Sequence, residues 1–339
     1  LPPEKVRIVT PYVGGGFGGK SAAPQAVEAA RLATITGKPV QVVWDRSEEF
    51  FFDTFRPAAV IKIKSGIDKD GKIVLWDYIV YFAGNRSSAQ FYDVPNHRTL
   101  SAGEWGGRGG ASGAHPFRVG AWRAPGSNSS VFARESQIDI MAAKAGLDPL
   151  EFRLKNLTKN ERMRRVLEAA AEKFGWKPAP SPSGRGFGVA CGDYPETTCV
   201  ATMAEVAVDK ATGAVTVKRI VTAQDMGQCV NPEGAKLQVE GCSIMGLGYA
   251  LAEEVHFKDG RILDDNYDTY EIPRMSWLPE IEAVLVKNDA LPFSSGGEPA
   301  IITIGAVLAN AVFDATGARL YQLPMTRDRV KEALAKTAK

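Results

Sequence analysis

The chain has 339 residues, with 41 Lys plus Arg against 39 Asp plus Glu and a formal net charge of +2. That balance gives no electrostatic basis for nucleic acid or an anionic membrane surface as a partner. Hydrophobic residues at 45% and charged residues at 24% exclude wholesale disorder, and at ~150 residues per domain the length predicts about two domains.

In chain order, residues 6–12 (VRIVTPY) read as a strand, followed by a glycine-rich turn at 14–20 (GGGFGGK). Residues 21–36 read as a helix, with Ala22, Ala26, Ala29 and Ala33 at helical spacing and Gly37 as its stop. Residues 39–45 (PVQVVWD) read as a second strand, and 60–65 with 73–82 as a hairpin about the turn at 68–71. Residues 84–116 lack periodicity and are rich in Gly, Ser and His, which suits a site-lining loop or an exposed one equally well. Helices are expected at 130–145, from the Asp148-Pro149 cap through Leu157, and at 161–175. The Pro- and Ser-rich stretch 177–184 is the linker candidate, giving domains at 1–178 and 179–339. Strands at 201–209 and 215–223, a helix at 234–254, a short hairpin around 258–260, a strand at 280–287 and a helix at 306–317 complete the reading. Strands and helices do not alternate strictly, so the expected fold class is α+β, two mixed halves.

Four cysteines (191, 199, 229 and 242) include no C-x-x-C pair, and His97, His115 and His256 lack ligand spacing. No zinc site or cysteine-held iron–sulfur cluster is expected, and the thiols do not decide between cytoplasm and periplasm. No apolar run of ~18 residues is evident, so no membrane span is expected. The opening Leu-Pro-Pro-Glu suggests a piece of something longer.

Glycine is the compositional outlier, 34 of 339, and its clustering directs attention to loops. Residues 14–21 satisfy the phosphate-loop spacing G-x-x-x-x-G-K-S, and Gly14, Gly16 and Gly19 with Asp45 imitate a dinucleotide-binding unit. A nucleotide-binding protein built on Gly14 to Ser21 is therefore one reading, and glycines that merely permit tight packing are another. Downstream, the βαβ alternation that a nucleotide fold needs is absent.

Six segments in order carry a resemblance: VGGGFGGK (13–20), GAWRAPG (120–126), DMGQCVNP (225–232), QVEG (238–241), GGEP (296–299) and ANAVFDATGAR (309–319). Together they resemble the molybdopterin-binding subunit of the xanthine dehydrogenase/aldehyde oxidase family, in its bacterial isoquinoline-oxidoreductase-like branch. The resemblance implies a molybdenum hydroxylase subunit that oxidises an aromatic N-heterocycle or an aldehyde with water as oxygen source. It implies a molybdenum–molybdopterin cofactor, with or without a cytosine dinucleotide, whose metal the pterin holds and no protein side chain does. It implies partners: a [2Fe–2S] subunit and an FAD or haem electron acceptor.

By the same resemblance, Glu298 matches the catalytic glutamate and Arg123 the arginine near the metal. Gly16, Phe17 and Gly18 match the loop beside the cofactor, Gln238 a glutamine on the pterin, and Gly297 the neighbour of the glutamate. A carboxylate is the right general base for such chemistry if burial brings its pKa toward neutrality, and Arg123 could stabilise negative charge on the substrate. Beside these stand plainer readings: a turn glutamate, an arginine paired with a surface acid, a glutamine at a helix end, Phe17, Trp122 and His115 in the core, Glu253 and Glu254 at a solvated helix end, and Asp225 fixing a turn. A non-catalytic assembly subunit is a third reading. The family's G-x-E-x-G-Q-G motif and its Ser/Thr-rich stretch are not found, so the chain is expected to form one side of the cofactor cleft, completed by a removed N-terminal portion or by a second molybdopterin-binding subunit, and not to retain molybdenum by itself.

Overall fold

The computed structural model describes residues 1–103, 117–194 and 197–337; His115 lies outside the described residues. The helices are α1 (Pro24–Thr36), α2 (Arg46–Phe52), α3 (Ser127–Ala145), α4 (Pro149–Lys155), α5 (Glu161–Phe174), α6 (Pro232–Leu251), α7 (Ile304–Thr316) and α8 (Arg327–Thr337). The strands are β1 (Val60–Ile67), β2 (Ile73–Tyr81), β3 (Asn96–Ala102), β4 (Phe187–Tyr194), β5 (Thr198–Val208), β6 (Val215–Asp225), β7 (Phe257–Lys258), β8 (Arg261–Ile262) and β9 (Glu280–Leu285). One sheet has the order β1-β2-β3, a second β4-β5-β6-β9, and β7 pairs with β8. β1/β2, β4/β5 and β5/β6 are antiparallel, whereas β3 and β9 each join their sheet in parallel. Mixed sheets with helices laid against them match the α+β expectation.

The second sheet is covered on both faces, and the alternation of its side chains shows how. Val189, Cys191, Ala201, Met203, Val221 and Ala223 point into one core, against Met163, Val166, Leu167 and Ala170 of α5 and Ile73 and Trp76 of β2. Ala190, Ala204, Val217 and Ile220 point into the other, against Val307, Leu308 and Ala311 of α7. A sheet buried on both faces reads as a nearly continuous apolar run, which is what residues 199–208 show. α5 keeps its apolar residues at i, i+3, i+4 and i+7. Asn160 caps it by accepting from the Met163 N–H at 3.1 Å, and Gly175 ends it in the left-handed region.

β4 lies very close to α7. A Cβ at Gly188 would stand 2.1 Å from the Val307 carbonyl and 2.7 Å from the Ala311 nitrogen. Both obstacles are backbone, so Gly188→Ala must push the helix off the sheet. We expect a loss of about 1–3 kcal/mol, read as a lower urea midpoint at unchanged slope.

The α7 region also qualifies the membrane expectation. The stretch Pro299–Thr316 is long and apolar enough to span a bilayer, with mean hydropathy 1.5, but 83% of it is buried inside the fold. It is a core helix, packed between the second sheet, α3 and α6.

Several expectations fail for identifiable reasons. Residues 6–12 and 39–45 are not strands. Among the described residues no strand pairs with them, and an unpaired strand has no ladder to hold it. Asp45 instead caps α2: its carboxylate accepts from the Glu48 N–H and the Glu48 carboxylate accepts from the Asp45 N–H, both at 2.9 Å. This capping box lies in the sequence as D-x-x-E. α1 starts at Pro24, its proline in the first turn, and not at residue 21. The irregular stretch at 84–116 contains β3, a polar edge strand with no apolar alternation to announce it. β4 carries two glycines that mask its pattern. α8 buries Val330 and stands on the amphipathic run RDRVKEALAKT. No residue among the first 45 is buried.

Candidate active site

The turn 120–126 is the centre of the site. Gly120 donates to the Phe55 carbonyl at 2.9 Å, and a Cβ there would strike the Thr54 hydroxyl at 2.3 Å. The Arg123 N–H donates to the Phe17 carbonyl at 2.9 Å, docking the glycine loop onto this turn. Gly18 adopts φ +113°, and a Cβ on it would stand 2.2 Å from the Ala121 carbonyl. Only glycine can seat the loop so closely. The Asn128 amide closes the turn by donating to the Arg123 carbonyl at 3.0 Å. Ala124, fully buried, is held at φ +59°, a strained conformation for a residue with a Cβ.

Arg123 is buried and ties three segments together. Its Nη2 donates to Gln238 Oε1 at 2.8 Å on α6, its Nε donates to the Gly297 carbonyl at 3.0 Å, and its guanidinium stands 5.4 Å over the Phe17 ring. Gln238 and Gly297 thus meet through the arginine. The plainer reading of Arg123, a pairing with a surface acid, does not hold.

The loop bearing Gly297 and Glu298 is fixed from the β5–β6 side. Ser294 donates to the Met226 carbonyl at 2.8 Å, and the Thr198 hydroxyl donates to the Ser295 carbonyl at 2.7 Å. Asp225 keeps the preceding turn in place. Its carboxylate accepts from Arg162 and Asn288 at 2.9 Å and from the Gly227 N–H at 3.0 Å, the turn-fixing role open to it in the sequence. The Cys242 thiol lies 3.4 Å from the Gly297 carbonyl, and burial pushes its pKa up to about 11. It is a small buried group and not a nucleophile.

Glu298 projects from this loop, partly buried, into a cavity of about 430 Å³. Phe17, Gly18, Gly19, Trp122 and Arg123 line the same cavity. Glu298 Oε1 accepts from the Ala124 N–H at 3.3 Å, and Oε2 accepts from the Tyr194 hydroxyl. Gly16 sits just behind, accepting from the Gly19 N–H at 2.9 Å. Of the site residues expected from the sequence, Phe17, Gly18, Arg123 and Glu298 line this cavity, and Gln238 and Gly297 reach it only through Arg123.

Sequence reasoning missed Tyr194, Arg86, Arg118, Asp53 and Thr54, which complete the wall. No motif marks them, and only the fold brings them to Glu298. A second cavity of about 600 Å³ shares Asp53, Thr54 and Trp122 with the first and is walled by Phe50, Phe117, Tyr249, Tyr267 and Tyr270. Glu253 belongs to it and is not at a solvated helix end: burial raises its pKa, and the Tyr270 hydroxyl donates to it at 3.0 Å. Glu254 pairs with Arg329 at 2.8 Å.

The glycine loop does not form a phosphate loop. No strand precedes it, a 3-10 turn (Gly19–Ser21) follows it, and the helix starts only at Pro24. Convergent N–H groups at a helix N-terminus, which that reading needs, are not built here.

Three guanidiniums (Arg86, Arg118 and Arg123) against two carboxylates (Asp53 and Glu298) line the Glu298 cavity. That excess suits an anionic group. A loop that presents backbone in place of side chains leaves room for a large planar one, so the residues fit a phosphate-bearing pterin. The class so defined is a domain that holds a bulky anionic cofactor beside a carboxylate.

The chain belongs to the molybdopterin cofactor-binding family. Residues 1–157 match one family described as "Molybdopterin cofactor-binding domain", and residues 133–279 match a second of the same description. It is 29% identical over 370 residues to a nicotinate dehydrogenase subunit of Pseudomonas putida, covering 97% of this chain and 30% of that protein. It is 29% identical over 340 residues to the beta subunit of isoquinoline 1-oxidoreductase of Brevundimonas diminuta, covering 96% and 43%. The chain thus spans less than half the length of these relatives. Quinoline 2-oxidoreductase from Pseudomonas putida 86 superposes with a TM-score of 0.82 at 16% identity, covering 96% of this chain and 68% of that one. CO dehydrogenase from Oligotropha carboxidovorans superposes with a TM-score of 0.85 at 14% identity, covering 100% and 69%. Likeness at these identities establishes the fold.

Proposed function

We propose that this chain forms one wall of the active site of a molybdenum hydroxylase that oxidises an aromatic N-heterocycle or an aldehyde with water as oxygen source. The observation that carries the reading is the cavity shared by Glu298, Arg123 and the glycine loop. Phe17 and Arg123 come from residues 1–178 and Glu298 from 179–339, which supports a cavity built by both proposed halves.

When bound, the molybdenum–pterin group supplies the two-electron redox chemistry. Gly16, Phe17, Gly18, Gln238 and Gly297 would hold it, with the glycines leaving space and the cationic wall balancing its negative charge. Glu298 takes the proton that must leave the attacking oxygen, with Oε1 and Oε2 fixed by their two donors. Arg123 holds the loop, α6 and the Gly297 carbonyl in one geometry, which is how a rigid site reduces reorganisation. The aromatic-walled second cavity supports a planar substrate, with Trp122 standing at the junction.

The electrons would leave through a [2Fe–2S] subunit and an FAD or haem acceptor. Relatives that are themselves named as subunits support the presence of partner subunits. The test is elemental analysis with a visible spectrum of the chain co-expressed with its partners. About one molybdenum per chain in the complex, and none in residues 1–339 purified alone, is the expected result. A complex without molybdenum sinks the proposal.

A further inference from the structure

The partner of Glu298 Oε2 is a tyrosine, and its surroundings leave little freedom. Tyr194 ends β4 and is 4% exposed. Its hydroxyl touches two groups: Glu298 Oε2 and, at 3.4 Å, Nη1 of Arg86. An arginine only donates and an ionised carboxylate only accepts. The hydroxyl oxygen therefore accepts from Arg86, and its proton points at Glu298. Burial, then the bond to Glu298 and its charge, raise the pKa of the phenol, so the donor keeps its proton at working pH.

The turn carrying Arg86 is itself anchored. The buried Arg134 donates to the carbonyls of Ser87 at 2.9 Å and Ala89 at 3.1 Å, and the Ser87 hydroxyl donates to the Asp193 carbonyl at 2.7 Å, one residue before Tyr194. Arg86 is exposed, whereas Tyr194 sits in the core formed with α7.

We propose that Tyr194, oriented by Arg86, is a positioning residue that holds the Glu298 carboxylate in one rotamer. This rests on the reading of Glu298 as the base. The other charged or titratable groups facing Glu298 are Arg123, which reaches the Gly297 carbonyl beside it, Arg118 and Asp53 across the cavity, and the Cys242 thiol against its backbone carbonyl. Removing the phenol donor therefore leaves Oε2 without its hydrogen bond, and the carboxylate is no longer held in one direction.

The test uses the assembled holoenzyme and the variants Tyr194→Phe and Arg86→Met. Expected for Tyr194→Phe is a kcat lower by about 10-fold, with KM and molybdenum content little changed. Arg86→Met, on an exposed side chain, should lower kcat by less. Tyr194→Phe with an unchanged kcat and full molybdenum content overturns the inference, as does a loss that falls on KM instead of kcat. Should Tyr194→Phe not assemble, the Arg86→Met kinetics decide alone. If Glu298→Gln turns over normally, the base assignment fails. If Glu298→Gln is inactive and Tyr194→Phe behaves as wild type, only the tyrosine's role fails.

Discussion

Glu298→Gln in the assembled enzyme should lower kcat by about 10²–10⁴-fold, the range expected when a general base is removed, with molybdenum content unchanged. Glutamine keeps the shape of the side chain. Its carbonyl oxygen can still accept from the Ala124 N–H or from Tyr194, so the fold of the loop and the cradle for the cofactor are preserved. Only the capacity to take a proton is lost. KM should change little, since the carboxylate acts on the transition state more than on ground-state binding. Stopped turnover together with retained metal separates a catalytic role from a structural one. A variant turning over within about threefold of wild type would instead favour the non-catalytic assembly reading.

The largest expected effect on stability lies away from the cavity, at Glu135. This carboxylate is fully buried on α3. It accepts from Arg153 Nε at 3.0 Å, from the Tyr92 hydroxyl at 3.1 Å and from the Cys191 N–H at 3.1 Å, and Arg134 Nε lies 3.6 Å away. The cluster extends from Arg153 to Asp139 at 3.5 Å and from Asp139 to Arg319 at 2.9 Å. Glu135→Gln leaves two guanidiniums in a dry interior with one fewer negative charge. Breaking a buried ion pair on one side costs about 3–5 kcal/mol, since the remaining charge cannot be solvated. The melting temperature should fall by roughly 4–7 °C. A melting temperature within about 2 °C of wild type, well under the shift that such a loss implies, would mean that the interior relaxes enough to hydrate the arginines. Because Arg134 also fixes the turn carrying Arg86, the same variant should loosen the donor side of Glu298.

The sequence by itself determined the chemistry-bearing segments and most of the elements that carry them. The hairpin of β1 and β2, the helices α3, α5, α6 and α7 and the strands β5 and β6 are legible from period and from stop signals, because each follows local rules: alternation on a pleated strand, a 3.6-residue apolar stripe, a capping side chain, a left-handed glycine. Glu298, Arg123, Gln238 and the glycine loop were legible as motifs, yet nothing local distinguished a catalytic glutamate from one in an ordinary turn.

The tertiary structure decided what those residues face. It brought residues 17, 123 and 298 to one cavity and tied Gln238 and the Gly297 carbonyl to the guanidinium of Arg123. It placed Tyr194 on Glu298 although 104 positions separate them, and among the described residues it gave 6–12 and 39–45 no neighbouring strand, so they are not strands. The physical reason is the same throughout. Strand pairing, burial of a charge and the direction of a hydrogen bond depend on neighbours distant in the chain, which no local pattern of residues encodes.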